Sequence, residues 1–142
     1  MIKDIKILVI EDDKASSFYL KTILSSFGEV SVCEKGNEAI SLFQEAVAQG
    51  EHFDVLFIDI LLPELDGYHI AQFIRKWEVE SNNDSYKPVL IMESSCAYTD
   101  DILKAFASGV NLYLTKPFSK SQIEGFMAEC GFQKLPTNEA SA

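Results

Sequence analysis

Asp59 closes the apolar run Val55-Leu56-Phe57-Ile58, where no structural role calls for a carboxylate. An ionised group at the mouth of a buried strand is costly unless it is solvated, paired or bound to a cation. The arrangement recurs near the start of the chain, where Ile7-Leu8-Val9-Ile10 runs into Glu11-Asp12-Asp13. A third apolar run ends in Glu93-Ser94-Ser95, and a fourth leads to Lys116-Pro117. Carboxylates on neighbouring strands repel one another, and a hard divalent cation relieves the repulsion. Mg2+ suits this case, since it takes one or two protein carboxylates and completes its shell with water and phosphate oxygens. A lysine and a hydroxyl opposite are what a tetrahedral phosphoryl anion needs. The set points to phosphoryl transfer onto a carboxylate, with an aspartate as covalent nucleophile.

The elements that must position these groups alternate along the chain. Apolar runs predict strands over 5–10, 29–33, 53–58, 88–93 and 110–115. Amphipathic stretches predict helices over 15–27, 37–48, 67–79, 100–108 and 120–130. Asp13, Thr99 and Ser119 are the expected N-caps, and Gly109 the residue that stops the fourth helix. The first helix is expected to bury Phe18, Ile23, Leu24 and Phe27, and the third Ile70, Phe73, Ile74 and Trp77. Five strands alternating with five helices predict an α/β three-layer sandwich around a parallel sheet. Such sheets carry their sites at the C-terminal strand ends, where all the groups named above fall. Residues 81–87 form an expected polar loop, and 131–142 an expected flexible tail behind a single domain over 1–130.

A chain of 142 residues is long enough for one domain that buries roughly 70% of its unfolded surface. The net charge of −10 argues against a nucleic-acid surface, which needs clustered Lys and Arg, and favours cations and basic protein patches. No stretch approaches the roughly 18 apolar residues that span a bilayer, and Met1-Ile2-Lys3-Asp4 opens no signal peptide, so a cytoplasmic protein is expected. Cys33, Cys96 and Cys130 are too widely spaced for a zinc site or a disulfide framework. Asn83-Asp84-Ser85 matches a glycosylation acceptor by chance in that setting.

Over about residues 4–130 the chain resembles the receiver domain of two-component response regulators. The resemblance rests on Ile10-Glu11-Asp12-Asp13, Asp59 with Pro63 four residues on, Asp66-Gly67, and Gly109…Tyr113…Lys116-Pro117-Phe118, in that order. It implies a flavodoxin-like sheet of order 2-1-3-4-5, with Asp59 accepting a phosphoryl group from a histidine. It also implies that Asp12 and Asp59 bind Mg2+ directly, Glu11 through water, and Leu61 through its backbone carbonyl. Lys116 would pair with phosphoryl oxygens, its bond to Pro117 would be cis, and Tyr113 would be an aromatic switch. A histidine kinase or histidine phosphotransfer protein is the implied donor. The output partner would bind a face made of the fourth helix, fifth strand and fifth helix. With no further domain expected after residue 130, a stand-alone receiver that signals by protein contact is the expectation.

One position departs from the family pattern, which has Thr or Ser at the end of the fourth strand. Five residues after Pro88 is Glu93, whereas counting back from Gly109 and Lys116 selects Ser94. Ser94 is favoured, because a hydroxyl facing the site needs no compensation. If Glu93 faces it, a fourth carboxylate opposes a phosphoryl dianion and an unphosphorylated binding module becomes the rival reading. Leu61 stands where the family helps orient the hydrolytic water, and an apolar side chain there implies slow loss of phosphate. An aspartyl phosphatase is disfavoured, since its second Asp would stand at Leu61.

Simpler roles suffice elsewhere. Asp13 reads as a helix cap, Asp66 as the start of the third helix, and His69 as a surface residue. Phe73, Ile74 and Trp77 form a core stripe. Cys96 follows the fourth strand closely enough to be redox-sensitive, but an inert loop residue is the simpler reading.

Overall fold

Strands that are apolar on both faces must be covered on both faces, and the topology achieves this. The computed structural model describes residues 4–81, 85–95 and 98–136. Its elements are β1 (Ile5–Ile10), α1 (Lys14–Leu24), β2 (Gly28–Cys33), α2 (Gly36–Ala48), β3 (Val55–Asp59) and α3 (Gly67–Ser81), followed by β4 (Val89–Ser94), α4 (Thr99–Ala107), β5 (Leu112–Thr115) and α5 (Lys120–Glu129). The strands form one sheet of order β2-β1-β3-β4-β5 with parallel pairing throughout. This is the flavodoxin-like three-layer sandwich expected.

Alternation along each strand sorts the core into two layers. Ile5, Ile7, Val9, Val55, Phe57, Ile91 and Leu114 pack with Leu20, Ile23 and Leu24 of α1 and Ile123 and Met127 of α5. Leu8, Ile10, Leu56, Ile58, Leu90 and Met92 pack on the other face with Phe43 of α2 and Ile70 and Ile74 of α3. The stripe that includes Ile74, Phe73 and Trp77 is therefore core, as its spacing implies.

Local signals set the boundaries. Asp13 caps α1 by accepting from the Ser16 amide at 3.0 Å. Ser119 and Gln122 form a reciprocal capping box at the start of α5. Gly109, at φ +110°, ends α4 in a backbone conformation that disfavours any side chain. Gly67 lets α3 approach the end of β3, since a Cβ there would stand 2.5 Å from the Asp59 carbonyl oxygen.

Three expectations need correction. Phe18 is 73% exposed, because α1 ends at Leu24 and turns Leu20, Ile23 and Leu24 inward instead. Thr99 is the first helical residue of α4 and not its cap, a position taken by Tyr98 without a side-chain bond. Part of the expected tail is held down: Phe132 packs in the α1–α5 layer, the Leu135 amide donates to Ser26 O at 2.7 Å, and Lys134 pairs with Glu124. Residues 137–142 lie outside the described residues.

Candidate functional site

The register of the sheet brings the strand-end groups into one row. Ile10 pairs with Ile58, so Glu11 lies one step beyond beside Asp59, and Asp59 is itself paired with Glu93. Three acidic residues thus end three adjacent strands at one level. They also share a face. Glu11 continues the alternation of Ile7 and Val9, Asp59 that of Val55 and Phe57, Glu93 that of Ile91, and Lys116 that of Leu114. The four polar groups extend the α1–α5 side of the sheet past the end of its apolar layer.

Lys116 is the hub. Its Nζ donates to Glu11 Oε1 at 2.5 Å and stands 3.6 Å from Asp59 Oδ2 and 4.0 Å from Glu93 Oε1. The Lys116–Pro117 peptide bond is cis. Glu11 is further held by the Asp13 amide, which donates to its Oε2 at 3.1 Å. Asp59 is 6% exposed and Glu93 not at all, so neither relies on water for solvation.

Proton affinities diverge accordingly. Burial alone would raise Glu11, but its contacts with Glu93, Asp59, Lys116 and the Asp13 amide bring it down to about 2. Burial, reinforced by the neighbouring Glu11, pushes Asp59 up to about 7 despite Lys116. Burial and Glu11 likewise hold Glu93 well above the ordinary range. Among the described residues no donor reaches either buried oxygen of Glu93, and Lys116 at 4.0 Å is beyond hydrogen-bond distance.

The donor set fits a hard cation. Carboxylate oxygens of Glu11, Asp12 and Asp59 lie within 4.8 Å of one another, with Asp12 exposed and the other two buried. Oxygen-only donors at an open strand end suit Mg2+, which keeps part of its water shell.

Of the residues singled out in the sequence, Glu11, Asp12, Asp59 and Lys116 come together. The hydroxyl preferred at strand four does not join them. Ser94 is buried, and alternation along β4 turns it to the face of Met92, away from the cluster. Glu93 is paired with Asp59 instead, the position that the count from Pro88 selects. Tyr113 pairs with Met92 on that opposite face, half-buried against the α2–α3 layer. Leu61 follows Asp59 in an open loop with its side chain exposed. Asp13 and Asp66 act as caps, the latter accepting from the His69 amide at 3.0 Å, and His69 is exposed. Cys96 lies outside the described residues.

Sequence reasoning missed a groove of about 420 Å³ beside Lys116, lined by Ala15, Ser16, Tyr19, Ser95, Pro117 and Phe118. Its only sequence signal is the apolar pair Phe18-Tyr19 in a helix whose buried face lies elsewhere.

Comparisons with known proteins bear on the family and the fold. The family model described as response regulator receiver domain matches residues 7–127. A probable histidine kinase of Oryza sativa subsp. japonica is 32% identical over 132 residues, which cover 82% of this chain and 13% of that protein. A probable transcriptional regulator of Porphyridium aerugineum is 33% identical over 120 residues, 84% of this chain and 45% of that one. The chain thus spans less than half the length of either relative. Among solved structures, the receiver domain of a Francisella response regulator is 28% identical with a TM-score of 0.73, covering 89% of this chain and 95% of that one. The receiver domain of a sensor histidine kinase from Pseudomonas aeruginosa PAO1, solved with a magnesium ion coordinated in its active site cleft, shares the fold at 24% identity and a TM-score of 0.72, covering 89% of this chain and 97% of that one.

The divergent proton affinities predict a stability profile. Asp59 keeps its proton to about pH 7 in the folded chain but ordinarily loses it near 3.8, so metal-free stability falls as pH rises between those values. Glu11 acts oppositely, and stability rises as pH climbs from about 2 to its ordinary 4.5. Since a cation selects ionised Asp59, added Mg2+ should raise Tm more at about pH 7.5 than at about pH 5, and Asp59→Asn should flatten the difference. Thermal melts in EDTA and in Mg2+ check this; stabilisation by Mg2+ that shrinks with rising pH contradicts it.

Proposed function

The chain belongs to the response regulator receiver family, and we propose that it is a phosphoacceptor switch of a two-component phosphorelay, modified on Asp59 in a Mg2+-dependent manner. The observation that carries this reading is the buried Asp59 carboxylate held 3.6 Å from Lys116 inside an acidic cluster. In the proposed step an Asp59 oxygen attacks phosphorus on a phosphohistidine donor. The new P–O bond forms as the P–N bond breaks, and the imidazole leaves with the electron pair. The donor would be a histidine kinase or a histidine phosphotransfer protein. Mg2+ bound by Asp12 and Asp59, by Glu11 through water and by the Leu61 carbonyl would neutralise charge on the transferring oxygens. Lys116 would bind a phosphoryl oxygen and orient the group.

Output by protein contact is supported by α4. Tyr98, Leu103 and Phe106 are exposed at its start and along its outer side, and α4 packs beside β5. Tyr113, half-buried on the adjoining face, is the residue whose rearrangement would alter that surface. The proposed setting is cytoplasmic, with neither nucleic acid nor membrane as partner.

Incubation with acetyl phosphate and Mg2+ should add one phosphoryl mass to the intact chain, and neither EDTA-treated protein nor Asp59→Asn should gain it. A second reading, an unphosphorylated binding module, is favoured by Glu93 opposite Asp59; a folded chain of unchanged mass, indistinguishable from Asp59→Asn, would establish it. For the phosphorylated chain, Leu61→Asn should speed loss of the group several-fold, because an amide can hold the attacking water where leucine cannot. An unchanged decay rate would remove Leu61 from the account.

A further inference from the structure

Glu93 is a buried group at the site that the proposed transfer does not use. It ends β4 directly opposite Asp59, on the same face of the sheet, and is wholly buried. Glu11 Oε1 and Glu93 Oε1 stand 2.5 Å and 4.0 Å from one and the same Lys116 ammonium group. Since β3 runs between β1 and β4, side chains of Glu11 and Glu93 that converge on one ammonium group flank the strand that ends in Asp59. That ammonium group itself stands 3.6 Å from Asp59. A tetrahedral group bonded to Asp59 and reaching for Lys116 must enter the space among these three side chains.

We propose that the Glu93 side chain occupies the phosphoryl subsite of the unmodified chain and gates it, so that a group on Asp59 is held by Lys116 only after Glu93 has been displaced. The inference rests on the receiver reading and deepens it. Length is the operative property, because the glutamate side chain carries its carboxyl group to within 4.0 Å of the Lys116 ammonium, where a serine or threonine would stop short. Displacement is feasible because, among the described residues, neither Glu93 oxygen has a hydrogen-bond partner to give up. Glu93 is thus a positioning residue that lowers occupancy of the site by a phosphoryl group.

Fluoroberyllate, a phosphoryl mimic, gives a direct test by calorimetry on the full chain at saturating Mg2+. Glu93→Thr should bind it about tenfold more tightly than the unsubstituted chain or better, and Glu93→Ser should do the same. Glu93→Gln, equal in length, should stay within about threefold of the unsubstituted chain. Asp59→Asn should not bind. The proposal is overturned if both shortened variants, shown folded by circular dichroism, bind no more tightly than the unsubstituted chain. It is equally overturned if Glu93→Gln gains as much as Glu93→Thr, which would make charge and not occupancy the cause. In either event Asp59 remains the acceptor. Failure of every folded variant to bind fluoroberyllate or to be phosphorylated would overturn the receiver reading as well.

Discussion

Three carboxylates at one level on adjacent strands, facing a single ammonium group, are the constraint on which the rest of the structure depends. Parallel strands lie about 4.8 Å apart, so side chains at one level on one face cannot avoid each other. Two like charges at about 4 Å cost on the order of 4 kcal/mol at the effective dielectric of a protein surface, and more when buried. Lys116 offsets one such charge well, and its shortest contact is to Glu11. Burial, reinforced by this repulsion, raises the proton affinity of Asp59 and Glu93, while the contacts that Glu11 makes lower its own.

The scaffold exists to hold that imbalance. Apolar layers on both faces of β1, β3 and β4 fix the register, and without the register the row dissolves. Gly67 permits α3 to start against the Asp59 carbonyl, and the Asp13 amide steadies Glu11 while the Asp13 side chain caps α1. On the α1–α5 side the apolar layer stops one residue short of the row, leaving the strand ends reachable from the groove beside Lys116. A buried carboxyl group such as Glu93, with no hydrogen-bond partner among the described residues, contributes nothing favourable to folding.

Much of this was legible in residue types. Continuous Val, Ile and Leu runs announce doubly covered strands, and charges at their ends announce a site, which is how Glu11, Asp12, Asp59 and Lys116 could be grouped beforehand. Caps at Asp13 and Ser119 follow from local chemistry and need no tertiary information. The face on which a strand residue lies is a different matter. A run such as Val89-Leu90-Ile91-Met92 is apolar at every position, so it carries no alternation from which to tell whether Glu93 or Ser94 points at Asp59. Only pairing with β3 sets Glu93 beside Asp59. Phe18 misled for a related reason: an apolar residue in a helix is read as core until the packed face is known. The hold on residues 131–136 depends on Ser26 and Glu124, contacts between segments far apart in sequence that no local pattern reveals.

The central claim is that the row is completed by one divalent cation that takes the place of protons. Calorimetric titration of the metal-free chain with Mg2+ near pH 6, in two buffers of different ionisation enthalpy, measures both the stoichiometry and the protons released. The account predicts one site per chain, proton release on binding, and affinity lowered by about tenfold or more in Asp12→Asn. Binding that releases no proton and is indifferent to Asp12→Asn, or no binding at all, would contradict it.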